Sequence, residues 1–270
     1  MPERMNLTEY AELAMLFEVC AKHKPGNVDR EHDYDDTRLE HFLCSAVRSR
    51  SVFENSENLS VGEMIFEAVK KTNIHSGGNT HFGAFILLAP LIKGKGVSGA
   101  AELVKKTSVE DAVLFYKAFG LTQVRMNKSD DIDVNDPASI QMLRDKKMTL
   151  YNVMEYSSEN DMVAREWING FALTKIFAEK LLSRNCGTSD IPKVFIEMMS
   201  EYSDTFIAKK FGAETSEDVS RLAKKVTAGE TTVEDFDEFC IREGINPGSL
   251  ADICIAGIFT ALLRGWKWDY

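Results

Sequence analysis

Apolar residues return along this chain at helical intervals. Leu39, Phe42, Leu43, Ala46 and Val47 fall at i, i+3, i+4, i+7 and i+8, and so do Val61, Met64, Ile65, Ala68 and Val69. That spacing gathers side chains on one face of a helix and leaves polar residues on the other. Helix starts are marked where Ser, Thr or Asn is followed three residues later by an acid: Asn6 with Glu9, Thr37 with Glu40, Ser60 with Glu63 and Thr232 with Asp235. Further helices are predicted over about 82–91, 108–119, 138–147, 161–183, 193–210, 217–228 and 250–266. The stretch 84–89 is apolar all round, which belongs at the centre of an assembly rather than on its face. The expected fold is all-α, a single-domain multi-helix bundle over 1–270 with a buried central helix.

Composition adds exclusions. With 44% hydrophobic residues the 270-residue chain can build one large core, and no Pro- or Ser-rich linker divides it. The longest apolar run, 84–92, is far below the roughly 20 residues that span a bilayer. The opening Met-Pro-Glu-Arg-Met lacks an apolar signal region, so the expectation is a cytoplasmic protein with no membrane partner. Five widely spaced cysteines without a Cys-x-x-Cys pair read as reduced, buried thiols. A net charge of −10 argues against a nucleic-acid surface. It still permits a small polyanion, held by a local cluster of cations and backbone N–H groups with Mg²⁺ brought in by carboxylates. All five histidines lie at or before His81, and His23, His32 and His41 match no zinc spacing.

The segment 72–83 reads Thr-Asn-Ile-His-Ser-Gly-Gly-Asn-Thr-His-Phe-Gly and feeds the most apolar helix. Paired glycines admit a ligand close to the backbone, and the following helix aims its partial positive end at the same point, so an anion, above all a phosphate, is the expected ligand. Simple punctuation before a buried helix is the plainer reading. Three other segments share this mixture of small and polar groups. In 23–30, Pro25 and Gly26 are expected to stop the first helix, leaving Lys24 and Arg30 as cations and Asp29 as a metal-ligand candidate. In 204–212, Lys209, Lys210 and Gly212 suit a helix end, while Asp204 reads as an acid in mid-helix. In 246–254, Ser249 fits an N-cap with Asp252 as its capping-box acid, as Ser60 and Glu63 do earlier. The acidic loop 130–136 fails the calcium-loop spacing and is expected to end with Asp136 capping a helix that has Pro137 first. The glycines of 94–99 lack the phosphate-loop ending and read as a connection.

Lys24-Pro-Gly-Asn-Val-Asp29, Gly78-Asn-Thr-His81 with Gly83, Asp204-Thr and Ser249-Leu-Ala-Asp252, in that order and over nearly the whole chain, resemble the triphosphoribosyl-dephospho-CoA synthase family, and its archaeal-type members in particular. The resemblance implies an all-helical fold and the reaction of ATP with 3′-dephospho-CoA to give 2′-(5″-triphosphoribosyl)-3′-dephospho-CoA and adenine, so that ATP donates its ribose. It implies Lys24, Asn27, Arg30, Gly77, Gly78, Asn79, Thr80 and Ser249 at the nucleotide, Asp29, Glu63 and Asp252 as ligands of Mg²⁺, and His81, Asp204 and Glu63 in catalysis. Breaking an N-glycosidic bond through an oxocarbenium-like state needs protonation of the leaving base and a base for the incoming hydroxyl, which such groups supply. Two departures stand out: Phe82 replaces the Lys common after Asn-Thr-His in bacterial members, and 31–37 differs from their Gly-Ala-His-type stretch, leaving His32 as a loose counterpart. Two other readings remain open, a Mg-dependent helical nucleotide hydrolase and a non-catalytic nucleotide-binding protein. A homodimer is a further expectation, with Trp266 and Trp268 either at its contact or closing the core.

Overall fold

The computed structural model describes residues 5–78, 80–122 and 137–269. Asn79 and the acidic loop 130–136 with its Asp136 cap lie outside the described residues. The elements in chain order are α1 (Leu7–Val19), α2 (Leu39–Glu54), α3 (Val61–Thr72), α4 (Phe82–Lys93), α5 (Val97–Leu103), α6 (Val109–Leu121), α7 (Pro137–Asp145), α8 (Leu150–Ser157), α9 (Met162–Ile168), α10 (Ala172–Leu182), α11 (Ile191–Glu201), α12 (Thr205–Phe211), α13 (Ala213–Thr227), α14 (Val233–Glu243) and α15 (Gly248–Leu263). No strand occurs among the described residues, so the all-α expectation holds.

Two helices, rather than the one expected, form the centre. In α4 every residue from Ala84 to Ile92 is buried, and in α15 every residue from Ile253 to Leu262. They pack on each other and on α1, with α3 and α9 against α4 and α10 against α15. Each large apolar side chain so enclosed contributes roughly 1.5–3 kcal/mol. Pro90 lies inside α4 and has no N–H to give to Ile86. The indole of the fully buried Trp167 donates to the Ile86 carbonyl instead, at 3.1 Å, so this helix keeps a proline without an orphaned acceptor.

The capping boxes expected at Asn6–Glu9 and Ser60–Glu63 are present, and Thr232 accepts the Asp235 N–H. The one expected at Thr37–Glu40 is not. Helix α2 starts at Leu39, where His41 Nδ1 accepts the Arg38 N–H at 3.1 Å and Asp33 accepts the Leu39 N–H at 2.8 Å. The expected helix over 161–183 is two helices, broken where Gly170 and Phe171 take φ of 71° and 60°. The Glu166 carboxylate, fully buried, turns back to accept the Leu173 and Thr174 N–H groups and caps the second. The expected helix over 193–210 is likewise broken, after Glu201. Helix α1 ends at Val19 on Cys20, well before Pro25, and α5 and α8 had no prediction. Trp266 closes the core and Trp268 packs on Phe17 with ring centroids 5.2 Å apart. All five thiols are free; Cys240 and Cys254 are buried as expected, Cys20 and Cys44 are half-buried, and Cys186 is exposed. No described helix is long and apolar enough to cross a membrane.

Candidate active site

The starts of α4, α12 and α15 meet near the end of α1, and the meeting point is held by acids. Asp204 is the N-cap of α12, not a mid-helix residue: one carboxylate oxygen accepts the Phe206 and Ile207 N–H groups at 2.7 and 3.1 Å, and the other accepts the Leu250 N–H of α15 at 2.7 Å. That last bond explains why the Ser249–Asp252 capping box fails. Helix α15 starts at Gly248 after Pro247, which has no side-chain cap, and its first-turn donor is served from α12. Ser249 accepts from the Thr205 hydroxyl at 3.3 Å. Asp252 in turn caps another helix, accepting the Ala84 N–H of α4. The two central helices are therefore tied at their starts by carboxylates each supplied from a neighbour.

Asp252 keeps some contact with solvent although protein surrounds it. Burial drives its carboxyl well above the usual range, and the nearby charges of Glu18 and Asp204 push the same way against the Ala84 N–H. Asp204 is raised to about 6, by burial acting against its three N–H donors. Glu18, at the end of α1, is also raised by burial, partly opposed by Lys24. Lys24 itself is 1% exposed: its ammonium reaches Glu18 Oε1 at 2.5 Å and lies 3.5 Å from the Val28 carbonyl. The expected free cation is thus an internal ion pair, placed by the turn that Asp29 closes on the Lys24 N–H at 3.2 Å.

His81 stands before α4 with its ring 1% exposed. Nδ1 lies 2.9 Å from Ser45 Oγ, and the ring edge meets Phe42 at 5.1 Å. Nε2 is buried and makes no hydrogen bond. Burial first, then Lys24 and His75, lower its pKa to about 3, so the ring is neutral. Upstream, His41 and His75 stack at 4.7 Å. A Cβ on Gly77 would sit 2.0 Å from His41 Nδ1, and Gly78 turns with φ of 61°, so the paired glycines are required by a close approach and a left-handed turn. Phe82 points away from this turn into an aromatic cluster with Phe115 and Phe119.

The structure therefore brings Lys24, His81, Asp204, Ser249 and Asp252 to one region, with Asn27, Gly77, Gly78 and Thr80 on its two loops, and adds Glu18, which carried no motif. It does not bring Glu63 there. Glu63 accepts the Ser60 N–H at 2.7 Å in the first turn of α3, about 14 Å at 1.5 Å per residue from Thr72 at the other end of that helix, after which the glycine turn follows. Arg30 is exposed. Asp29 lies beside His32 and Asp237, a residue of α14 that no local pattern singled out. Of the three expected metal ligands Glu63 thus stands apart, while Asp29 and Asp252 both lie within electrostatic reach of Glu18. For an all-oxygen ion such as Mg²⁺, the donor set that fits is Glu18 with Asp252, hard carboxylates crowded together beside a single ammonium.

The chain matches the model of the CitG family, ATP:dephospho-CoA triphosphoribosyl transferase, over residues 4–270. Among solved structures it is similar to a protein of Archaeoglobus fulgidus assigned as a triphosphoribosyl-dephospho-CoA synthase, with 29% identity and a TM-score of 0.71, over 83% of this chain and 100% of that one. No curated protein matches it in sequence.

Proposed function

Since the chain belongs to the family of ATP:dephospho-CoA triphosphoribosyl transferases, enzymes that move the triphosphoribosyl group of ATP to dephospho-CoA, we propose that a recess between the starts of α4 and α15 carries that reaction. The bond broken is the N-glycosidic bond of ATP. The bond made joins the ribose to the 2′-hydroxyl of 3′-dephospho-CoA, and the proton lost by that hydroxyl is balanced by one gained on the departing adenine.

The observation that carries this placement is His81 Nε2, a buried polar atom with no hydrogen bond beside a glycine turn. Leaving such an atom unsatisfied costs about 1–3 kcal/mol, which a substrate contact would recover. In the tautomer that carries its proton on Nδ1, facing Ser45, a neutral His81 offers Nε2 to the incoming hydroxyl, and the negative charge brought by a bound nucleotide would raise its low pKa toward one suited to accepting that proton. Asp204, near pKa 6, exchanges a proton close to neutrality and serves the leaving base. The oxocarbenium-like ribose, or a cation beside these carboxyls, would favour the charged forms of Glu18 and Asp252 that burial otherwise disfavours, and would be stabilised by them in return. Mg²⁺ held by Glu18 and Asp252 would neutralise the triphosphate, which an acid-rich recess otherwise repels. Asn27, Gly77, Gly78 and Thr80 would then contact the nucleotide.

Purified protein given ATP, Mg²⁺ and 3′-dephospho-CoA should release adenine and form the adduct only when the acceptor is present, and His81→Ala should lower the rate about 10²-fold or more. Undiminished turnover in His81→Ala would remove that residue from the mechanism. Release of phosphate or pyrophosphate without adenine would point to nucleotide hydrolysis instead.

A further inference from the structure

Asp29 lies on the loop after α1, His32 three residues on, and Asp237 in α14, yet their ligand atoms all fall within 4.8 Å of one another. Both carboxylates are buried, at 2% and 1% exposure. Each is oriented by backbone donors: Asp237 accepts the Gly26 N–H at 2.9 Å, and Asp29 accepts those of Glu31, His32 and Lys24 at 2.7, 3.1 and 3.2 Å. His32 Nδ1 is 3.0 Å from Asp237 Oδ2 and 3.9 Å from Asp29 Oδ1. It nonetheless forms no hydrogen bond, although the atom is buried. A ring nitrogen this near a carboxylate oxygen without bonding to it leaves its lone pair available to an ion held between the two. Ligand pairs about 2.1 Å from one ion stand roughly 3–4 Å apart, which is the spacing seen.

We propose that Asp29, His32 and Asp237 form a binding site for a divalent first-row transition-metal ion, on the loop that also carries Lys24. Two carboxylates and one imidazole suit Mn²⁺ or Fe²⁺, whereas a magnesium site favours oxygen alone. The imidazole of His32 remains partly open to solvent, which leaves an entry path and coordination positions for water. The oriented N–H groups on both carboxylates act as the outer layer that fixes metal ligands. Tyr34 steadies the same turn by donating to the Gly26 carbonyl at 2.7 Å. The ion would clamp the Lys24 loop onto α14 across more than 200 residues of chain. The site rests on this geometry alone and does not require the transferase reading.

The test uses the full chain without nucleotide, with Mn²⁺ as the probe. Equilibrium titration should show one Mn²⁺ per chain, with pulsed electron paramagnetic resonance detecting a directly coordinated nitrogen. His32→Gln should abolish the nitrogen coupling and weaken binding at least tenfold. Asp237→Asn, which retains an oxygen for the Gly26 N–H, should weaken binding by a similar factor while circular dichroism shows the helices intact. No binding in the wild type, bound Mn²⁺ without nitrogen coupling, or coupling that survives in His32→Gln would each overturn the site. Adenine release assayed separately with Mg²⁺ reports on the recess, so a failure of one proposal is distinguishable from a failure of the other.

Discussion

The carboxylate of Asp204 crosses from the start of α12 to the Leu250 N–H in the first turn of α15, at 2.7 Å. One acid thereby caps its own helix and a central helix 46 residues later. The position of α15, and with it Asp252, depends on a side chain that is not part of α15.

Asp204→Asn separates these two duties. The amide oxygen can still serve Phe206 and Ile207, but the amide nitrogen then faces the Leu250 N–H, donor against donor. The expected loss is about 1–3 kcal/mol, read as a lower urea midpoint with an unchanged slope. Asp204→Ala, which removes all three acceptances, should lose more.

Lys24 and Glu18 form a buried pair, so removing one partner strands the other's charge. Lys24→Met should cost about 3–5 kcal/mol, whereas the double variant Glu18→Gln with Lys24→Met should recover most of it. A double-mutant cycle in urea checks this; equal losses in the single and double variants would show that the chain has no need of the pair.

These features divide into those legible in the sequence and those not. Capping boxes at Ser60–Glu63 and Asn6–Glu9 are local, so four residues suffice to find them. The central position of α4 follows from its apolar circumference. The caps at Asp204–Leu250, Asp252–Ala84 and Glu166–Thr174 act between elements, and no spacing rule reaches them. The breaks at Phe171 and after Glu201 escape the periodicity for the same reason: each is stabilised by an acid, Glu166 or Asp204, that reads as surface in the sequence. Lys24 and Asp29 were legible as functional residues through their motif, but not their burial, because the partners Glu18 and Asp237 carry no motif of their own.

Two groups near the recess give stability a pH dependence of opposite sign. His81 has a folded pKa of about 3 against an ordinary 6.5, so the unfolded chain binds its proton first on acidification, and the stability it contributes above 6.5 is lost as pH falls toward 3. Asp204, at about 6 against 3.8, takes its proton first in the folded state, so its contribution grows as pH falls from about 6 to 4. His81→Asn should therefore lose less stability than the wild type between pH 6.5 and 4.5, by at most about 1.4 kcal/mol per pH unit. Urea titrations at three pH values would show it; identical slopes for variant and wild type would mean that His81 takes up a proton in the folded state.

Gly83 offers a way to move Asp252 without altering it. A Cβ at Gly83 would lie 2.0 Å from Asp252 Oδ2 and 2.6 Å from its Cγ, so Gly83→Ala forces the carboxylate aside. Asp252 is short and enclosed, and it can retreat only by giving up the Ala84 N–H. Adenine release should fall at least tenfold, about 1.4 kcal/mol in the barrier. Gly120→Ala is the control: it lies in α6 with nothing within 4 Å of the new Cβ, and should be neutral or stabilising by about 0.5–1 kcal/mol. The pair Gly83→Ala with Asp252→Ala should regain stability relative to Gly83→Ala alone, because the collision is gone, yet stay inactive. Activity restored in that pair would show that Gly83 serves only the packing of α4, and that Asp252 has no part in the chemistry.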